Sequence, residues 1–271
     1  DSLPGVPTLR FGTFNLLHGL SVATGAIRQD DLRASAVALD ADVLALQEVD
    51  RGQPRSNKVD QAAVVADELA APWWRFAPAM DGIPGRRTTP ADPLSDAPGP
   101  ACGVALVSRL RVLRWYARRF PAAPVPMLLH VARRPGLRLV PDHPRVALAG
   151  VLVGPDGPFT VVAAHLSFVP GWNVRQLRAI ARWLAGMPAP RFLLADLNIP
   201  GPLPRAIIGW EQLARVPTYP SWHPCVQWDH VLADGVGRGD VETVAAQRLP
   251  VSDHTSVTVD VTWPAPSRQG D

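Results

Sequence analysis

Lysine and cysteine are scarce in this chain of 271 residues, and each scarcity narrows the range of functions. Lys58 is the only lysine among 27 basic side chains, so arginine carries nearly all the positive charge. The planar fork of arginine suits phosphate and carboxylate groups. The two cysteines, Cys102 and Cys225, are too few for a disulfide framework and lack the spacing of a metal site. They are either free or joined in one bridge.

Long apolar runs are also missing. No stretch approaches the roughly 18 consecutive apolar residues of a membrane span, so we expect no transmembrane segment. The composition, 47% hydrophobic and 19% charged, predicts a soluble protein, cytoplasmic or secreted after processing. A net charge of +3 permits an anionic substrate, and nothing in the sequence implies a stable protein partner. Without internal repeats or an interior linker, we predict one domain over 1–263 and a flexible tail over 264–271.

Short apolar runs typical of strands outnumber the helical patterns. The helical patterns occupy 28–40, 57–70 and 173–187. We expect Asn57 to cap the second helix, and the Pro, Gly and Asp content of 81–100 predicts a long loop. Residues 101–109 and 111–119 predict a pair of strands. Few helices among many strands favour two sheets packed face to face with helices outside, and no G-x-G-x-x-G follows a strand.

Acids, amides and histidines, the residue types used in catalysis, occur at the ends of several of these apolar runs. In "FLLADLNIP", Asp196 and Asn198 follow a buried-type run, and their spacing points both side chains the same way along a strand. An isolated D-x-N is more typical of a turn. The pattern recurs at Asn15, Glu48, His165, Asp229 with His230, and Asp253 with His254. Because an unpaired buried polar group costs roughly 1–3 kcal/mol, we expect these groups to share a site or a ligand.

In this order and at these intervals, the motifs resemble those of the endonuclease/exonuclease/phosphatase superfamily. The likeness runs from "TFNLL" near the start to "SDHTSV" near the end. It implies an α/β (α+β type) fold, a four-layered sandwich of two mixed β-sheets with helices outside. It also implies a metal site, in which Glu48 is the main magnesium ligand and Asn15 and Asp253 lie near the ion.

The same resemblance implies catalytic roles for five residues. Asp196 and Asn198 would orient the attacking water and the phosphate. Asp229 would pair with His254, and His165 matches a histidine that faces the phosphate in the deoxyribonuclease branch. We therefore predict a hydrogen bond between the His254 ring and the Asp229 carboxylate, with the other ring nitrogen towards the phosphate.

Two further residues are candidates for substrate binding. Arg145 in "PRVALA" sits where many members of the superfamily carry an arginine before the strand. Trp172 lies beside the site motifs, as do Phe168 and Trp222, and could stack on a base or pack at the rim.

These residues suit metal-assisted hydrolysis of a phosphoester. Such a reaction needs charge stabilisation on the phosphoryl oxygens and an oriented water. Magnesium accepts one or two carboxylates plus water, so we expect Mg²⁺ as the cofactor, with Mn²⁺ as an alternative ion. A histidine held by a carboxylate can donate to the phosphate.

The expected substrate is a phosphodiester, and nucleic acid is the first class to test. A phospholipid or inositol-phosphate headgroup is the alternative. The inositol reading is weakened because "IPGPLPRAI" follows the D-x-N and "QWDHVL" replaces the motif of those phosphatases. A non-catalytic binding module is the remaining alternative, although every metal acid and the S-D-H motif are retained.

Overall fold

The computed structural model describes residues 7–130 and 136–263 of the chain. The predicted flexible tail, 264–271, lies outside the described residues. The described helices are α1 (Gln29–Leu39), α2 (Gln61–Glu68), α3 (Trp172–Leu184) and α4 (Leu203–Ile208). The described strands are β1 (Thr8–Asn15), β2 (Val43–Arg51), β3 (Trp73–Gly82), β4 (Thr88–Pro90), β5 (Ala101–Ser108), β6 (Val112–Phe120), β7 (Met127–His130), β8 (Leu137–Val140), β9 (Arg145–Gly154), β10 (Gly157–His165), β11 (Arg191–Asp196), β12 (Glu211–Gln212), β13 (Asp229–Asp234), β14 (Val241–Gln247) and β15 (Ser256–Thr262).

Two mixed sheets form the centre of the molecule. The first has the strand order β14-β15-β1-β2-β5-β3-β4, and the second has the order β12-β13-β11-β10-β9-β6. Each sheet contains one parallel pair, β1 with β2 and β10 with β11, among antiparallel neighbours. Strands β7 and β8 form a separate two-stranded hairpin.

Aromatic side chains join the two sheets. Phe11 of β1 stacks on Phe192 of β11, with ring centroids 4.2 Å apart. Phe159 and Trp263 pack edge-on against each other and close the cluster. All four rings are buried, and aromatic pairs contribute beyond their buried area. The inward faces of both sheets therefore share one apolar core.

Helices cover the outer face of each sheet. Leu32 of α1 and Val65 of α2 pack against the outer face of the first sheet. Leu177, Ile180 and Leu184 of α3, at helical spacing, pack against the second. Helix, sheet, sheet and helix make four layers, which confirms the predicted fold class. In the described ranges, no helix is long and apolar enough to cross a membrane.

Two local predictions were wrong. Helix α2 is capped by Asp60, whose side chain accepts a hydrogen bond from Ala63 N at 3.1 Å. Asn57 instead adopts a left-handed conformation before the helix. The predicted strand pair is also absent, since β5 and β6 belong to different sheets. The Ser108 hydroxyl bonds both the backbone O and N of Leu110, and the chain crosses from one sheet to the other at this turn.

Several short elements were missed. Part of the predicted 81–100 loop is β4, which pairs with the end of β3 at Gly82 after a turn that contains Gly85, and both glycines have positive φ. The hairpin of β7 and β8 and the short helix α4 were not predicted either.

Candidate active site

Strand ends from both sheets meet at one edge of the sandwich. Asn15 ends β1, and its amide Nδ2 lies 3.3 Å from Glu48 Oε1 and 3.0 Å from Asp196 Oδ2. Its Oδ1 accepts a hydrogen bond from Leu17 N at 3.0 Å, which fixes the orientation of the amide. A buried amide therefore ties a carboxylate of the first sheet to one of the second.

Glu48 lies in a bulge of β2. The register with β5 shifts between Leu46 and Val49, and Glu48 has a φ of 50°. Positive φ is unusual for a residue with a side chain, and bulges often re-aim side chains next to active sites. Strain of this kind persists only where the surrounding structure holds it. The bulge explains how a strand residue comes to point at the edge of the sandwich.

Gly103 of β5 makes the close strand packing beside this bulge possible. It pairs with Val49, and a Cβ atom placed on it would lie 2.0 Å from Ala77 O. We expect Gly103→Ala to lower the free energy of unfolding by about 1–3 kcal/mol or more, because the strands must move apart. Gly186→Ala is the control, since a Cβ there meets nothing within 4 Å. Equal urea midpoints for the two variants would contradict the prediction.

Glu48 and Asp253 carry more negative charge than their surroundings balance. Burial and the neighbouring Asp253 raise the pKa of Glu48, against the opposing effects of His254 and Asn15. Burial also raises the pKa of Asp253. Two neighbouring carboxylates whose ionised forms are disfavoured make a site at which a cation is favourable.

Asp229 and His254 form the predicted pair. Asp229 Oδ2 lies 2.8 Å from His254 Nδ1, which confirms the expected hydrogen bond. Burial lowers the pKa of His254, but the charge of Asp229 and this hydrogen bond outweigh burial and raise it to about 10. The ring is therefore a cation at neutral pH, and Nδ1–H donates to the carboxylate. Asp229 Oδ1 is buried and has no hydrogen-bond partner among the described residues.

Asp196 faces this pair across the site. Its carboxylate, that of Asp229 and the His254 ring offer atoms within 4.8 Å of one another. Burial, followed by the charge of Asp229, raises the pKa of Asp196. This spacing could hold a metal ion, but the hydrogen bond between Asp229 and His254 already accounts for their closeness. These three groups form one buried cluster, in which the raised pKa values of Asp196 and His254 bring both within reach of proton exchange.

Asn198 positions His165. Asn198 has a φ of 49°, and its backbone N–H donates to Asp196 Oδ1 at 3.0 Å. Its Nδ2 donates to Leu166 O at 3.0 Å and lies 3.3 Å from His165 Nε2. Burial and the charge of Arg145 keep the pKa of His165 well below its usual range. We assign a neutral ring that accepts from Asn198 at Nε2 and carries its proton on Nδ1.

Arg145 is held at the start of β9 by a buried carboxylate. Asp142 Oδ1 accepts from Arg145 Nη2 at 3.2 Å, and Asp142 Oδ2 accepts from Ser167 Oγ at 2.7 Å. The Arg145 guanidinium also lies over the Phe168 ring, 5.6 Å from its centroid. Its charge acts on both Glu48 and His165, which places it with the other site residues.

The indole N–H of Trp172 is hydrogen-bonded within the protein. It donates to Pro121 O at 3.0 Å, and Arg175 lies over the Trp172 ring at 4.8 Å. The side chain is half-buried at the first turn of α3. A role for Trp172 in substrate binding stays a prediction.

His230 fixes the loop that carries Asn198. The ring is fully buried, and its Nε2 lies 2.9 Å from Ile199 O, so we assign the proton to Nε2. Gln212 Nε2 lies 3.5 Å from Nδ1 on the other side of the ring. Burial lowers the pKa of His230 to about 4. The folded state is therefore most stable when the His230 ring is neutral.

Acid should therefore destabilise the fold through His230. The folded pKa of about 4 is below the ordinary 6.5, so the unfolded chain takes up the proton first as pH falls. The loss between those two pH values is about 3 kcal/mol of unfolding free energy. Urea titrations at several pH values should show a shallower acid slope for His230→Gln. The exposed His223→Gln should keep the parent slope, and identical slopes for all three proteins would contradict the prediction.

Several supporting residues escaped the sequence analysis. Asp142 is one, because "PDHP" has the composition of a turn and its partners are distant in the chain. Thr218 accepts from the backbone N–H of Trp228 and Asp229 and so fixes the start of β13. The Tyr219 ring packs 5.0 Å from that of His254. The motif pattern carries no signal for any of them.

A sequence model of the Endonuclease/Exonuclease/phosphatase family matches residues 12–254. The chain belongs to this family. Its members are hydrolytic phosphoesterases, and the resemblance drawn from the motifs is confirmed. Among curated proteins, no sequence matches this chain.

Solved structures of the family share the fold. An endonuclease/exonuclease/phosphatase from Beutenbergia cavernae DSM 12333 superposes with a TM-score of 0.66 at 23% identity, over 94% of this chain and 71% of that chain. A mannosyl-6-phosphatase from Bacteroides thetaiotaomicron VPI-5482 gives 0.58 at 14% identity, over 94% and 100%. Sphingomyelinase C from Streptomyces griseocarneus gives 0.56 at 17% identity, over 94% and 99%. At these identities the likeness establishes the fold, while the named substrates belong to those proteins.

Proposed function

We propose that the protein is a divalent-metal-dependent phosphodiesterase. The observation that carries the proposal is the contact set at the strand ends, in which Asn15 joins Glu48 to Asp196 beside the Asp229–His254 pair. Family membership supports phosphoester hydrolysis in general. What we propose beyond family membership is that the substrate is a diester, that a divalent metal ion is required, and that the site residues have the roles described below.

The donor set at Glu48 and Asp253 fits a hard divalent cation. Burial raises the pKa values of both carboxylates, and oxygen ligands suit Mg²⁺ or Mn²⁺. Glu48 and Asp253 would hold the ion. Asn15 would orient Glu48, because its amide nitrogen faces that carboxylate and its oxygen bonds Leu17. When bound, the ion would stabilise negative charge on the phosphoryl oxygens.

The remaining residues can bind and orient the reactants. Asp196, with its raised pKa, would take a proton from the attacking water as that oxygen bonds to phosphorus. The bond from phosphorus to the ester oxygen breaks, and the departing alkoxide takes a proton from solvent and leaves as the alcohol. His254, a cation held by Asp229, would donate from its free nitrogen to a phosphoryl oxygen. Arg145 would contact the same phosphate, and Asn198 would position His165 beside it.

Hydrolysis of bis-p-nitrophenyl phosphate tests this proposal without a choice of natural substrate. We expect release of p-nitrophenol with Mg²⁺ or Mn²⁺ and none with EDTA. Hydrolysis that persists after metal removal would contradict a metal-dependent site. A preference for p-nitrophenyl phosphate would show a phosphomonoesterase instead.

The natural substrate depends on surfaces outside this site, because the site residues converge on a single phosphoryl group. The sequence puts nucleic acid first, and a phospholipid or inositol-phosphate headgroup second. Plasmid DNA, RNA, phosphatidylcholine and inositol phosphates form the substrate panel. The exposed surface near Arg145 bears directly on this choice.

A further inference from the structure

The hairpin of β7 and β8 carries the most exposed leucines in the described part of the chain. Leu139, Leu137 and Leu128 are 69%, 62% and 55% exposed. We call β7 and β8 the leucine hairpin. Its strands pair with each other and with neither large sheet, so its leucines do not contribute to the central core.

The strand register places these leucines together. Leu128 pairs directly with Leu139, and directly paired residues share a face of the ribbon. Leu137 precedes Leu139 by two residues and so shares that face as well. An isolated two-stranded ribbon is marginal in water, and contiguous exposed apolar side chains mark interaction surfaces. This face is suited to contact with another apolar surface.

The charged residues within the span of the leucine hairpin are all basic, and the nearest acid, Asp142, is paired with Arg145 at its base. Residues 125–140 contain three arginines and no acidic residue. Exposed Arg138 lies between Leu137 and Leu139 in the chain, so its side chain leaves the opposite face of the ribbon and reaches the polar level from there. An arginine can leave its apolar stem beside buried neighbours while the guanidinium stays at the polar level. Leucines flanked by arginine match a bilayer surface, whose acyl layer lies beneath phosphate headgroups. A nucleic-acid backbone would use the arginines alone.

The base of the leucine hairpin lies next to the active-site residue Arg145. This base is closed by Asp142, whose Oδ2 accepts from Ala123 N at 2.8 Å. The same carboxylate contacts Arg145 and Ser167, the residue two positions after His165. A surface bound by the hairpin would therefore lie next to the phosphate-binding residues.

We propose that the leucine hairpin docks the enzyme on a lipid bilayer, and that the phosphoester substrate is a phospholipid headgroup of that bilayer. The proposal rests on the phosphodiesterase function argued above, but the docking surface uses none of its catalytic residues. It favours the lipid class over nucleic acid.

Vesicle sedimentation in EDTA measures docking without hydrolysis. The vesicles contain equal parts of phosphatidylcholine and phosphatidylglycerol. We expect the parent protein to sediment with them, and Leu137→Ser/Leu139→Ser to lower the partition coefficient at least about tenfold, because two leucines leave the apolar layer. Leu113→Ser is the matched control, since Leu113 is 51% exposed on β6, outside the hairpin. It should sediment like the parent.

Hydrolysis assays separate docking from chemistry. With Mg²⁺, the double variant should keep parent activity on bis-p-nitrophenyl phosphate and lose at least about tenfold on vesicle phospholipid, in line with its weaker partitioning. If no protein hydrolyses bis-p-nitrophenyl phosphate, the phosphodiesterase proposal fails while sedimentation still reports on docking.

Three kinds of result would overturn docking on lipid. The first is a parent protein that stays in the supernatant, or a double variant that sediments like the parent. The second is a dimer in analytical ultracentrifugation that the double variant abolishes, which would make the leucine hairpin a contact between copies. The third is plasmid DNA binding that falls in the double variant as much as vesicle binding does.

Discussion

Replacing Glu48 by glutamine is expected to lower the metal-dependent kcat/KM at least about a thousandfold, while the protein stays folded. A lost carboxylate ligand removes several kcal/mol of charge stabilisation, and each 1.36 kcal/mol corresponds to about tenfold in rate. Because burial and Asp253 raise the pKa of Glu48, the neutral side chain also relieves repulsion. The thermal midpoint should therefore stay the same or rise.

Glu242→Gln is the control for this experiment. Glu242 is exposed on β14 and accepts hydrogen bonds from Thr8 and Thr262, away from the strand ends that form the site. It should keep parent activity. A Glu48→Gln protein that retains more than about a tenth of parent activity would exclude Glu48 as the main ligand, since the loss of a metal ligand lowers the rate by several factors of ten.

Replacing Asp229 by asparagine is expected to lower kcat about 10²- to 10⁴-fold, with a smaller change in KM. The change keeps the shape of the side chain but removes the charge that holds the His254 ring and its proton. Loss of the equivalent carboxylate in serine proteases costs about 10⁴ in kcat. Asp229→Asn should fold, because Thr218 bonds the backbone and not the carboxylate.

Asp234→Asn is the matched control, at the other end of the same strand. Its carboxylate pairs with Arg191 at 2.6 Å and is 41% exposed. Parent kinetics are expected for this variant. If Asp229→Asn also shows parent kcat, the pair has no catalytic role. If its activity falls only in proportion to the fraction of protein that has unfolded, the role of the pair is structural.

The sequence predicts which strand-end residues lie together because its signal is local. An apolar run followed by a polar residue marks a strand end, and parallel neighbours bring such ends together, as with Asn15 and Glu48. The hydrogen bond between Asp229 and His254 was also predictable, because a working histidine needs an oriented ring.

The errors fall where tertiary contacts decide. Asn57 and Asp60 are equally good caps by residue type, and only the packing of α2 selects Asp60. Strands β5 and β6 follow each other closely, yet sheet packing sends them to different sheets. The positive φ of Glu48 depends on a register shift that no local pattern records. Exposure of Leu137 and Leu139 likewise depends on which surfaces lie opposite them.

The position of a bound ion tests the proposed site most directly. Crystals soaked in MnCl₂ can be measured at the manganese absorption edge, where the anomalous signal locates the ion independently of activity. We predict a peak in ligand contact with the carboxylates of Glu48 and Asp253, beside the amide of Asn15. A peak elsewhere, with Glu48 unliganded, would contradict the proposed metal site.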